Sequence, residues 1–459
     1  MEEEAMTLKK IWDLPVLLQP LKMESALERW LSDETPIAKQ TWVFGPKKPR
    51  DQLRNQELPP KDVHIEKLVE SGLIHVLPQI KIKKREDVRN IPEDADLLVI
   101  GDMEDWMAPE EILDELALLK KPIMPEWDSW GYSIHGRLSK FRFDKYSDVK
   151  HIIPMGADDV LSTISAIKGV KALKTLKVLY IGKYPPRSVA VPKEITLGYI
   201  HEKIGPEIRV IDMDEYLDTI WKIDDSKAEE LAENWKTKFE IENKIGTNFT
   251  EFAKIYLALK KLLEKYNANA LTVECPAIPA IEYVPCMAFS LLIDDGIPSG
   301  CEGDLPALFT MTVLMAISGK GALMGNLNEN VTHWDIEKGI ITINHDVIPP
   351  SYACPMCRIK VKDYHGMKVG ATLYSDLIEG APVTVAGIHW NMNKIWATEG
   401  EIAWTKDTVH CRIAIGVKVK DSKTISRMGF GHHIVLVYGR YKDTLRRFAD
   451  LMGFEFIEV

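Results

Sequence analysis

Short apolar runs that stop at a glycine or an acid, each followed by a helix-length segment, recur between Asp94 and Asn326. No other feature of the sequence restricts the fold as much. ADLLVIGD (95–102) has no polar alternation, as in a parallel strand covered on both faces. Pro109 then opens a segment with acids in its first turn, the ordinary start of a helix. KPIMPEW, HIIPMG, a helix from Ala157 to Ile167, and LKVLYIG (176–182) continue the pattern. Regular strand–helix alternation predicts a doubly wound parallel sheet, hence an α/β chain. LKVLYIG reads as the first strand of a fresh unit whose second strand is IRVIDM (208–213). The charged helical stretch 224–265 is expected to present a solvated face. The first ninety residues are less regular, with a polar, proline-containing segment from Phe44 to Lys61.

Beyond Asn326 the texture changes. GIITINHDV, PVTVAGIHW, HCRIAIGVKV and HHIVLVYG are short β-rich runs separated by turn signals, which predicts a largely antiparallel domain. It closes with a helix, Tyr441 to Leu451, and a last strand, FEFIEV. The expected domains are 1–172, 173–326 and 327–459, the final strand–helix–strand packing back on the central one.

A chain of 459 residues exceeds one ordinary core. A formal net charge of −10 provides no excess of cations to neutralise phosphates, so nucleic acid is not an expected partner. No run reaches the length of a membrane span and the N-terminus has no leader pattern, so no membrane partner is expected. Six cysteines are too few for a disulfide framework, and a reducing cytoplasm is the expected compartment.

The chemistry concentrates in 269–325. NALTVEC ends in Glu274 and Cys275; GIPSGC (296–301) is followed at once by Glu302, Gly303 and Asp304, and then by a helix. In a parallel sheet the carboxyl ends of the strands share one edge, where ligands bind. Glu274 and the Glu302/Asp304 pair are therefore expected at one crevice. Converging acids repel unless protons or a cation neutralise them. Oxygen donors suit Mg²⁺ or Mn²⁺, and an added imidazole shifts the choice toward Mn²⁺ or a later metal. The plainer role of Asp304 is an N-cap for the helix LPALFTM. The imidazole candidates are His432 and His433, beside a glycine bend at the start of an apolar strand.

At these residues the chain resembles the L-fucose isomerase-like proteins, and more distantly L-arabinose isomerase. VECPAIPAIEYVPCMAFSLLIDDGIPSGCEGDLPALFTMTVLMAISG (273–319), INHDVIPPSYA (343–353) and GHHIVLVYGRYKDTLRRFADLMGFEFIEV (431–459) carry the resemblance. It implies two Rossmann-like domains, a C-terminal barrel-like domain, and a divalent metal, Mn²⁺ foremost with Mg²⁺, Co²⁺ and Zn²⁺ as alternatives. It also implies a homo-oligomer, trimer or hexamer, that interconverts aldoses and ketoses of the L-fucose/L-arabinose type through a cis-enediol. The metal ligands implied are Glu274, Asp304 and His433, with Glu274 as principal base, Asp304 as its partner and Glu302 in reserve. His345 falls where the family has a comparable histidine, and His432 stands where classical fucose isomerases have asparagine. The alternatives are a non-catalytic sugar-binding relative and a metal-dependent aldol-type lyase.

Other features have bland readings beside the functional ones. Trp390, with His389 and Trp404, is a candidate apolar wall under a sugar ring, against ordinary core packing. His410-Cys411-Arg412 is a weaker pocket candidate than His345. Cys354-Pro-Met-Cys357 lacks the second ligand pair of a zinc site, and His365 alone does not supply it, so two loop thiols are expected. The turn Gly182 to Arg187 is expected to border the crevice but lacks the spaced glycines of a dinucleotide or phosphate loop. No nucleotide cofactor is expected.

Overall fold

The central strands form because their apolar runs are covered on both faces. In β9 (Ala270–Val273) all four residues are buried, as in the flanking β10 (Ser299–Cys301). The structure is a computed structural model that describes residues 10–23, 65–101, 110–125, 157–242, 249–329, 331–428 and 431–459. The segments expected at 44–61 and 151–156 lie outside the described residues. The chain divides into two compact units: Pro15–Lys168, and Gly169–Val459 with the short turn Ile11–Asp13.

The first unit holds a parallel sheet in the order β2-β1-β4-β5, with β3 also on β1. Its strands are β1 (Val16–Met23), β2 (Ile74–Val76), β3 (Ile80–Ile82), β4 (Leu97–Gly101) and β5 (Ile123–Pro125). Helix α1 (Glu110–Leu118) buries Ile112, Leu113 and Leu116 against Val88, Leu98 and Ile123.

The second unit contains a parallel sheet, β10-β9-β6-β7, with β6 at Lys177–Ile181 and β7 at Glu207–Ile211. The charged stretch expected to be a solvated face is two helices, α2 (Asp225–Lys238) and α3 (Phe249–Lys265). Each buries one stripe: Ala228, Ala232 and Trp235 on α2, and Phe252, Leu259 and Leu262 on α3. Lysines and glutamates that dominate the count thus conceal a 3.6-residue apolar period.

The C-terminal strands close on themselves. β15 (Pro382–Ile388), β18 (His433–Tyr438), β11 (Leu323–Leu327), β12 (Ile340–His345), β17 (Ile413–Val419) and β16 (Lys394–Asp407) pair antiparallel in that order, and β16 returns to β15. This six-stranded barrel has no free edge among its members. β19 (Glu455–Glu458), after helix Lys442–Met452, adds parallel to the outside of β16. Inward residues such as Ile341, Ile343, Val385, Trp396, Ile415 and Leu436 fill the core. Helix α5 (Leu305–Ser318), counting α4 as Cys286–Asp294, buries every residue from Leu305 to Ile317. It packs on β9, β10 and β11 and on barrel strands β15 and β18, so an amphipathic stripe would be of no use to it. No described helix is long and apolar enough to cross a membrane.

Cys354 and Cys357 are joined as a disulfide, where two loop thiols were expected; the loop holds their Cα atoms 5.1 Å apart, within bridging reach.

Tight barrel closure shows at Gly400 of β16, where an added Cβ would run into the carbonyl oxygen of Lys418 and the side chain of Val417. Replacing it by alanine is expected to cost about 1–3 kcal/mol through overpacking. Urea denaturation of the Gly400→Ala protein measures the loss.

Candidate functional site

The site begins where two parallel strands end together. β9 and β10 pair Val273 with Cys301, so Glu274 and Glu302 leave adjacent strands at the same level. They then diverge. Glu302 takes a left-handed backbone conformation (φ 60°), followed by Gly303 (φ 69°), which turns its carboxylate away from the strand line. Such a φ costs a non-glycine residue about 1–3 kcal/mol and persists only where the surroundings enforce it. Glu274 is buried, and both of its oxygens accept backbone N–H groups, Oε2 from Lys183 and Oε1 from Arg187, each at 3.0 Å. The turn 182–187 supplies both donors. It comes this close because Gly182 has no Cβ; one added there would lie 2.7 Å from that of Glu274. Tyr180 stands beside this carboxylate, and burial together with the Glu274 charge pushes its phenol well above the usual range.

Asp304 takes the N-cap role and meets His433, but as its hydrogen-bond partner and not in the ligand group with it. Its carboxylate caps α5, accepting the Ala307 N–H at 3.2 Å, and its Oδ2 lies 3.0 Å from Nδ1 of His433. With Nδ1–H donating to that carboxylate, the lone pair of His433 is on Nε2. Nε2 is buried, without a hydrogen-bond partner, and 3.9 Å from Glu302 Oε1.

The barrel register brings the second histidine. Asn326 of β11 pairs with His433 on one side and Asn344 on the other, so His345 at the end of β12 lies at the same barrel end. The His345 and His433 rings are 5.4 Å apart. Burial, and the neighbouring His433, push His345 down to about 4, which keeps it neutral at physiological pH. One donor atom each from Glu302, His345 and His433 lie within 4.8 Å of one another. Among the described residues this group and one other have that property. Neither Glu274 nor Asp304 belongs to it.

A cavity of about 250 Å³ opens on the group, lined by Glu302, His345 and His432 among others. His432 Nε2 is 3.6 Å from Glu302 Oε2. Trp390 is buried and is not part of this lining, so here it is a core residue. Asp346, His365, His410 and Cys411 line the same cavity. Asp346 was not singled out from the sequence, although its place directly after His345 was the available signal.

A chemically suitable cation site needs neutral imidazole nitrogens, a carboxylate, and outer partners that fix the rings. The lone pair of His433 Nε2, left unbonded in a buried place and aimed at Glu302, meets that description, with Asp304 as the outer partner. Asp304→Ala removes both the cap and the partner of a buried imidazole N–H. The expected destabilisation is about 2–4 kcal/mol, against less than about 1 kcal/mol for Asp304→Asn, which still caps. Chemical denaturation of the two variants checks the difference.

Residues 187–320 match the family model of the L-arabinose isomerase central domain. The match takes in Glu274, Glu302 and Asp304 and stops before His345 and His433. No curated protein gives a significant match to the chain. The strand-end acids therefore sit in a segment similar to the L-arabinose isomerase central domain, in agreement with the resemblance carried by the sequence.

Proposed function

We propose that this protein is an aldose–ketose isomerase for a small sugar of the L-arabinose or L-fucose type, working with a divalent cation held by Glu302, His345 and His433. The observation that carries the reading is the convergence of those three donors, one with an unbonded buried lone pair, beside a 250 Å³ cavity that Glu302 and His345 line. That volume is below the usual range for drug-sized ligands and fits a small polar molecule. The match to an arabinose isomerase domain supports the reaction class.

When bound, the cation supplies positive charge for the oxyanion that develops on the two adjacent sugar oxygens. The mixed carboxylate and imidazole donors favour Mn²⁺ among the hard divalent ions. The chain's own residues do the rest. Asp304 holds His433 in one tautomer and is a positioning residue. We assign proton transfer between C1 and C2 to Glu302, which lines the cavity, assisted by Glu274, which leaves the neighbouring strand at the same level. One takes the proton from C2 of the open-chain aldose and returns it to C1, while the other serves the hydroxyl oxygens. No oxidant is needed, because the aldehyde carbon is reduced as C2 is oxidised. The amides of Lys183 and Arg187 fix the Glu274 carboxylate in place, and Tyr180 braces that turn by donating to the Lys183 carbonyl at 3.1 Å.

Treatment with a chelator is expected to abolish ketose formation from L-arabinose or L-fucose, and Mn²⁺ to restore it. Glu302→Gln and Glu274→Gln should each lower kcat by about 100-fold or more, with deuterium uptake at C2 from D₂O falling in parallel. Carbon–carbon cleavage products, or turnover indifferent to chelation, would overturn the proposal.

A further inference from the structure

The cavity beside Glu302 is lined by a second set of donors that the isomerase reading leaves idle. His365, His410 and Cys411 each offer a ligand atom, and the three atoms lie within 4.8 Å of one another. They come from two turns far apart in the sequence, one after strand β13 (Lys360–Lys362) and one before β17.

Both turns are held tightly. His365 (φ 49°) and Cys411 (φ 54°) adopt left-handed conformations, which are costly for non-glycine residues and survive only where neighbours impose them. The neighbours are identifiable. Asp346 accepts from Arg412 N–H through Oδ1 at 2.9 Å, and its Oδ2 lies 2.5 Å from His365 Nε2. Arg412 donates through Nε to the Asp363 carbonyl at 2.9 Å and pairs with the Asp363 carboxylate. The Thr408 hydroxyl bonds to the carbonyls of His410 and Cys411. The His365 ring stacks on Tyr364 and meets the His410 ring at 4.5 Å.

This is the arrangement of a metal ligand with its outer partner. With Nε2–H donating to Asp346, the lone pair of His365 is on Nδ1, as in carboxylate–histidine–metal triads. Two imidazoles and a thiol are a softer donor set than Glu302 with two imidazoles, and they select zinc-like ions over Mn²⁺ or Mg²⁺. Cys411 is buried, and burial pushes its thiol up; a binding cation displaces the proton to solvent. His410 is exposed, which leaves a path for an ion to enter. The plain alternative, a small buried cysteine beside two unrelated histidines, does not account for two strained turns converging on one point.

We propose that His365, His410 and Cys411 form a second cation site, separate from Glu302, His345 and His433, that takes Zn²⁺ or a similar thiophilic divalent ion with Asp346 orienting His365 and the fourth position open to the cavity.

The probe is Co²⁺ added to the chelator-treated full chain under non-reducing conditions, followed by absorption. The expected result is a near-ultraviolet thiolate-to-cobalt charge-transfer band that disappears in Cys411→Ser and persists in Glu302→Gln. His410→Ala, at an exposed position, keeps the test available if the serine variant does not fold. It should weaken the cobalt affinity responsible for the band by more than about 100-fold, beyond the roughly 10–100-fold that loss of an outer partner alone brings. No charge-transfer band in the parent protein, or a band that survives Cys411→Ser, overturns the proposal. Failure of the isomerase reading would leave this band untouched, so the two ideas fail separately.

Discussion

One hydrogen bond ties the two halves of the larger unit together at the chemistry. Asp304 sits at the N-terminus of α5, directly after the parallel sheet ends; His433 opens a barrel strand 129 residues later. Their 3.0 Å contact is buried on both sides, where a lost partner is costly. It does two things at once. It fixes the end of the barrel against the carboxyl edge of the sheet, and it leaves Nε2 of His433 as the nitrogen facing Glu302. A charged oxygen accepting from an imidazole N–H in a water-poor place is strong enough to serve as such a joint.

The rest of the larger unit is built to hold that joint still. Helix α5 is apolar all round and fills the space between β9, β10 and the barrel, so its N-terminus cannot shift without disturbing a close-packed interior. Closure of the barrel fixes register on every strand, and register is what places His433, Asn326 and Asn344 in one row. Some of the backbone strain lies where function is proposed. Glu302, His365 and Cys411, all non-glycine residues in left-handed conformations, line one cavity. The stability of the packed scaffold offsets those local costs.

Much of this was legible beforehand, for physical reasons that can be named. Buried parallel strands have to be continuously apolar, so LKVLYIG and NALTVEC announced themselves, and the acids after their neighbours followed from the sheet rule. The N-cap at Asp304 was readable because capping is local. The apolar stripes of α2 and α3 were masked by abundant lysine and glutamate. The role of Trp390 was not readable, since an aromatic residue at a strand end looks alike whether it packs inward or lines a pocket. Asp346 and the meeting of His365 with His410 and Cys411 went unread because they depend on two turns crossing, which no spacing in the chain records.

The sequence by itself determined where the strands end and which acids and histidines stand there, because periodicity and capping act over a few residues. Only the tertiary structure decided which of those side chains meet. Glu302 rather than Glu274 groups with His345 and His433 because a left-handed turn redirects one carboxylate, while two backbone amides hold the other. Those are consequences of packing and barrel register between segments far apart in the chain, and local sequence carries no record of them.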